Sequence, residues 1–178
     1  MARIFDVIEY PNEMSDEIVH RFPEEGIGDF RIGSQVIVRE SQNAVFFRDG
    51  KGLDVFGSGR HTLSTLNLPI LTKVLSLPWG FTSPFRAEVY FVNTKRFTDL
   101  KWGTANPIMM RDADFGIVRL RAYGTYDFRI VDVPRFLREV AGTDHHFRLD
   151  EFADTMRSRI VSIFSEALAS SHVPALDV

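Results

Sequence analysis

The sequence contains no cysteine. A disulfide framework and a thiolate metal site are therefore excluded, and the composition suits a reducing compartment. It contains no apolar run near the roughly 18 residues that a membrane-crossing helix needs. The start, Met1-Ala2-Arg3-Ile4-Phe5-Asp6, lacks the apolar centre of a signal peptide, and Asp6 and Glu9 stand where an acid-poor transit peptide would not put them. There is no low-complexity tract and no internal repeat. There is also no dense basic stripe: the net charge is −3, with two Arg and eight acids in residues 1–30 (−6) and a balance of +3 over the rest. With no aromatic–basic motif either, no nucleic-acid partner is expected.

What is present is ordinary for a folded domain. The 178 residues are 44% hydrophobic and 25% charged, with a mean hydropathy of −0.07. That is enough chain for one sizeable core. Sixteen Phe predict a core or an interface rich in aromatic rings.

Along the chain, residues 1–30 read as an acidic lead-in and 31–178 as the domain proper, with Ala175-Leu176-Asp177-Val178 looking like the start of a further element. The spacing of Met1, Ile4, Phe5 and Ile8 predicts a short amphipathic helix ending before Pro11. Such a helix anchors poorly to anionic lipid, because Arg3 faces Asp6 and Glu9. Glu17 to Phe22 predicts an early strand stopped by Pro23. From Ser34 onwards the signals are β. Val36 and Val38 alternate with Ile37 and Arg39. Ala44-Val45-Phe46-Phe47 and Leu53-Asp54-Val55-Phe56 flank Asp49-Gly50, a hairpin signal. Gly57-Ser58-Gly59 turns again, and residues 60–84, with Pro69, Pro78, Gly80 and Pro84, read as loop with short extended pieces.

Arg86 to Asn93 predicts a strand with Phe85, Ala87, Val89 and Phe91 on one face, and Phe97 to Trp102 its partner. Ile117 to Ile130 reads as one long strand, bent or bulged at Gly124. Val118, Leu120, Ala122, Tyr126, Phe128 and Ile130 share one side of it; Arg119, Arg121, Thr125, Asp127 and Arg129 share the other. Asp132 caps a short helix with Pro134 in its first turn and Gly142 at its end. Leu149, Phe152, Met156, Ile160, Ile163, Ala167 and Leu168 fit one face of a second helix that breaks at Ser170-Ser171-His172-Val173-Pro174. Strands first and helices afterwards make an α+β fold.

Gln42-Asn43-Ala44-Val45-Phe46-Phe47-Arg48-Asp49-Gly50-Lys51, Gly59-Arg60-His61-Thr62-Leu63 and Asn67-Leu68-Pro69-Ile70-Leu71 follow one another in an order that resembles the SPFH, or Band 7, superfamily (stomatin, prohibitin, flotillin). Phe85-Arg86-Ala87-Glu88-Val89-Tyr90-Phe91-Val92-Asn93, Lys101-Trp102-Gly103-Thr104, Arg119 to Tyr126 and Phe136 to Gly142 are similar to a bacterial subgroup, some of whose members are labelled "virion core protein-like". The resemblance covers roughly residues 17–178. It implies an SPFH-like domain, mostly antiparallel β-sheet followed by two helices packed on it and truncated at its C-terminus. It further implies a non-enzymatic scaffold that forms homo-oligomers and organises phage-shock-type stress proteins. Such a scaffold would be cytoplasmic, peripheral at the inner face of the cell membrane, and would reach it through a protein partner.

The residues themselves offer little catalytic chemistry. Asp144-His145-His146 with Asp150 is the best metal-like cluster, and a small metal-dependent hydrolase using His145, His146 and Asp150 is one alternative from another class; a viral-core or nucleic-acid-binding protein, which the label of some members of that subgroup suggests, is the second, and the net charge of −3 argues against it. Adjacent histidines diverge on a helix or strand, however, and no His-x-x-x-His pair exists. His20 and His61 read as lone histidines in surface or core roles. Asp112 and Asp114 flank Ala113 beside Arg111 and read as a solvated turn. Gly57-Ser58-Gly59 is no nucleophile elbow, and Asp49-Gly50-Lys51-Gly52 lacks phosphate-loop spacing. Trp79 and Trp102, with Phe81, Phe85 and Phe97, read as core packing, or as a half-wet aromatic surface for membrane or partner contact. No catalytic residue, metal ligand or cofactor is expected.

Overall fold

Period-two alternation of apolar side chains organises most of this chain. The computed structural model describes residues 7–11, 15–26, 28–30, 33–48, 51–63, 85–142, 146–171, 173–174 and 177. In chain order these form β1 (Val7–Glu9), β2 (Glu17–Phe22), β3 (Gly28–Phe30), β4 (Gln35–Val38), β5 (Gln42–Arg48), β6 (Lys51–Phe56), β7 (Gly59–Thr62) and β8 (Phe85–Asn93). Then come β9 (Phe97–Gly103), β10 (Ile108–Asp112), β11 (Gly116–Leu120), β12 (Tyr123–Phe128), helix α1 (Val133–Phe136) with a π-helical turn (Leu137–Ala141), β13 (His146–Arg148) and helix α2 (Leu149–Ser171). The structure is α+β, mostly antiparallel sheet with helices at the C-terminal end. The chain divides into two compact units, Met1–Lys95 with Arg129–Leu149, and Arg96–Phe128 with Asp150–Val178. This differs from the expected split at residue 30: β2 and β3, from the acidic lead-in, are strands of the main sheet of the first unit.

In the first unit β8 is the central strand. It pairs antiparallel with β5 on one edge and with β2 and β3 on the other, in a sheet ordered β13-β2-β8-β5-β6. Ala87, Val89 and Phe91 of β8 point into the core with Phe46, as their alternation predicts, and Tyr90 and Val92 on the opposite side are buried too. Phe46 meets Phe30 and Phe56 edge-on, with ring centroids 5.9 and 5.3 Å apart, so the abundant Phe do form an aromatic core. Each such ring taken fully from water contributes roughly 1.5–3 kcal/mol.

The expected β5–β6 hairpin is present; its Asp49-Gly50 turn lies outside the described residues. Residues 64–84, with Trp79 and Phe81, lie outside them as well. The expected N-terminal helix is corrected where it is described. Val7–Glu9 is a strand parallel to β4, with Ile8 buried between exposed Val7 and Glu9. β-branched Val7 and Ile8 suit that pleated setting better than a helix. Met1, Ile4 and Phe5 lie outside the described residues. Asp132 caps α1 by accepting the Arg135 N–H at 3.0 Å, and Gly142 ends the segment with φ +58°. Between them the Gly142 N–H reaches back five residues to the Leu137 carbonyl, at 2.9 Å, so the last turn is π rather than α.

In the second unit β9 pairs antiparallel with β12, and β10 with β11. The expected pairing of β9 with β8 does not occur, because β5, β2 and β3 already occupy both edges of β8. The long strand is broken at Arg121-Ala122 into β11 and β12, yet every even residue from Val118 to Phe128 is half-buried and every odd one exposed, as predicted. Gly124 is not the bulge. It sits in regular register opposite Trp102, whose indole lies where a Cβ on Gly124 would be, 2.8 Å from Nε1. The bulge falls on β9, where Asp99 takes φ +60° and its N–H donates to Asp127 Oδ1 at 3.1 Å. Helix α2 lies on this pair through Trp102–Phe164 and Phe128–Phe152 ring contacts, at 5.6 and 4.6 Å, and the Tyr126 hydroxyl donates to the Ala153 carbonyl. Ile163 and Ala167, expected on the apolar face, are exposed; Phe164 and Leu168 take the inward positions, since the Trp102 ring fixes the helix rotation.

Candidate functional site

Within the first unit, Glu17, His20, His146 and Tyr10 converge. Residues 17 and 20 lie three apart on β2, so a regular strand would point them to opposite faces. The ladder with β13 pairs His146 with His20 and Phe147 with Val19, but Arg148 with Glu17; Ile18 is the extra residue. This bulge shifts the parity and returns Glu17 to the side of His20. Glu17 Oε1 then lies 3.0 Å from His20 Nδ1 and 3.2 Å from His146 Nδ1, while Tyr10 donates its hydroxyl to Oε2 at 3.0 Å. The Tyr10 ring stacks on His20 at 3.8 Å, and the two imidazole centroids are 5.0 Å apart. Burial pushes the Glu17 carboxyl up, but hydrogen bonds from His20, His146 and Tyr10, together with attraction to His20, outweigh it and hold it below the ordinary value. His20 is buried, whereas His146 is 46% exposed on its side chain, so the cluster opens to water on one side.

In the second unit the outer face of the β10–β11 hairpin carries a different chemistry. Met109 lies opposite Arg119 and Arg111 opposite Ile117, with Phe115 at the tip and Arg121 just beyond. All six are exposed, Phe115 and Ile117 by 62% and 66%. None of the three arginines makes an ion pair among the described residues. At the hairpin turn Asp112 accepts the Asp114 and Phe115 N–H groups at 2.8 and 2.9 Å. Asp112 is therefore buried and structural, not part of a solvated carboxylate pair. An open cleft of about 530 Å³ beside it is lined by Met110, Arg111, Leu168 and Val173.

The family model of the SPFH domain-Band 7 family matches residues 19–178. The chain belongs to the SPFH domain-Band 7 family. That family is one of membrane-associated scaffolds, generally without enzymatic activity. The SPFH chain is also 32% identical over 168 residues to "Uncharacterized protein YdjI" of Bacillus subtilis (strain 168), a match covering 93% of this chain and 50% of the relative. It thus spans about half the length of the curated relative it matches. No solved structure matches it. Among the described residues, no helix of this SPFH chain is long and apolar enough to cross a membrane.

Of the hydrolase grouping read from the sequence, only His146 and Asp150 fall among the described residues. His145, with Asp144, lies outside the described residues. Asp150 opens α2 and accepts the Glu151 N–H at 3.1 Å. His146 instead meets Glu17 and His20. His20, read as a lone histidine, is a member of the only such grouping of metal-competent side chains among the described residues. No sequence signal marked it, because the parity shift at Ile18 is invisible in the spacing. His61 does stand apart, beside the Phe56 ring and the Gly57 carbonyl. Trp102 and Phe97 pack on Phe164 and Phe128, the core role rather than the surface one.

Proposed function

We propose that this chain is a non-enzymatic scaffold module that self-associates at the inner face of the cell membrane and there organises stress proteins of the phage-shock type. Membership of a family of membrane-associated scaffolds carries this reading. The exposed face of the β10–β11 hairpin supports it: three cationic side chains interleaved with Met109, Phe115 and Ile117 suit a surface that is anionic outside and apolar just beneath. Each arginine near such a surface contributes about 1 kcal/mol. That surface is the inner leaflet of a membrane in this reading, touched directly by the hairpin rather than only through the protein partner that the resemblance implies. Light scattering on the purified protein, alone and mixed with a phage-shock-type protein, tests the assembly part. A mass of many copies that grows on mixing supports it. A monomer at all concentrations, unchanged on mixing, removes it.

A further inference from the structure

The geometry points to a zinc-binding site formed by Glu17 Oε1, His20 Nδ1 and His146 Nδ1. The three ligand atoms all lie within 4.8 Å of one another, and the carboxylate oxygen is 3.0 and 3.2 Å from the two ring nitrogens. Donor atoms bonded to a tetrahedral zinc at about 2.0–2.1 Å stand roughly 3.3 Å apart, so the cluster needs only small movements to close on an ion. Two imidazoles and one carboxylate are a borderline-soft donor set that suits zinc over calcium or magnesium.

The surroundings also fit. Tyr10 occupies Glu17 Oε2 with a hydrogen bond and leaves Oε1 for the ion. Its ring, stacked on His20, fixes the orientation of that imidazole. His20 Nε2, on the far side of the ring, has the exposed Glu24 carboxylate 3.9 Å away, beyond hydrogen-bond length but close enough for its charge to favour a cation on the cluster. Two of the three ligands come from β2 and one from β13, so a bound ion would fasten β13, the strand that leads directly into α2, to the main sheet. In a tetrahedral site the fourth position would fall to water or to a further donor.

The test is calorimetric titration of zinc into the full chain, stripped with a chelator and free of any histidine tag. The expected result is one equivalent bound with a micromolar or tighter Kd, and a cobalt complex whose visible absorption has tetrahedral intensity. His146→Ala, at a largely exposed position, and Glu17→Gln should each weaken binding by more than about tenfold, the scale that even outer partners of a metal carry. His61→Ala, remote from the cluster, should leave it unchanged. Glu24→Gln should weaken it less than either ligand variant. Zinc binding in the millimolar range only, several equivalents bound alike, or an affinity indifferent to both His146→Ala and Glu17→Gln would overturn the assignment. Circular dichroism of each variant separates a lost ligand from a lost fold.

Discussion

Arg21 is a cation almost wholly withdrawn from water, and removing its partner should be felt throughout the first unit. Its guanidinium donates to Glu88 Oε1 at 2.8 Å, to the Gly26 carbonyl at 2.5 Å and to the Glu24 carbonyl at 3.3 Å. The Arg21 side chain is 6% exposed and that of Glu88 28%. Glu88 also accepts the Tyr90 hydroxyl at 3.2 Å, and burial, then the Glu88 charge, push that hydroxyl up to about 12. Breaking a buried pair by deleting one member costs about 3–5 kcal/mol, because the other charge is left uncompensated. Here Arg21 keeps two carbonyl acceptors and Glu88 has a wet edge, so Glu88→Ala should cost about 2–3 kcal/mol. For a chain of this length each kcal/mol lowers Tm by about 2–4 °C, giving a fall of about 5–10 °C in a thermal melt followed by circular dichroism. Glu88→Gln, which keeps an acceptor, should lose roughly half of that, and Arg21→Met with Glu88→Leu should recover most of it. A melt of Glu88→Ala within about 1 °C of the parent, or a Gln variant worse than the Ala variant, would show that Arg21 is not held as argued.

Two further outcomes follow from single positions. Burial holds the Asp54 carboxyl above its ordinary value of 3.8, and its Oδ2 is buried without a hydrogen-bond partner among the described residues. A raised folded value means that the ionised form is disfavoured by folding; the penalty is absent below the unfolded value and complete once pH exceeds the folded one. Asp54→Asn should therefore raise Tm by about 1–3 °C at pH 7 and leave it unchanged near pH 3, so an equal gain at both would contradict the cause. At Gly124, where the Trp102 indole fills the space of a side chain, Gly124→Ala should cost about 1–3 kcal/mol in a denaturant titration and alter the near-ultraviolet signal. A neutral substitution would mean that the ring moves aside freely.

Local signals in the sequence carried far. Residues 118–128 kept their alternation although the strand breaks at Arg121-Ala122, because the pleat continues through the kink and the apolar side still meets α2. Asp132 and Gly142 marked the ends of a helical segment by chemistry that acts within four residues. The Asp-Gly signal located β5 and β6 for the same reason. What escaped was set by distant pairing. That β9 joins β12 and not its neighbour β8 depends on the occupied edges of β8. The rotation of α2, which exposes Ile163, depends on one Trp102 ring. The Glu17–His20–His146 cluster requires both a cross-strand register and a bulge at Ile18, and neither leaves a mark on residue spacing.

The scaffold reading stands or falls most directly on vesicle flotation. The protein should float with phosphatidylcholine vesicles containing phosphatidylglycerol and remain behind with neutral ones, and exchanging Arg111, Arg119 and Arg121 for Glu together should abolish flotation while the melt is unchanged. Flotation that ignores lipid charge and survives the triple exchange, or no flotation with either vesicle, would contradict it.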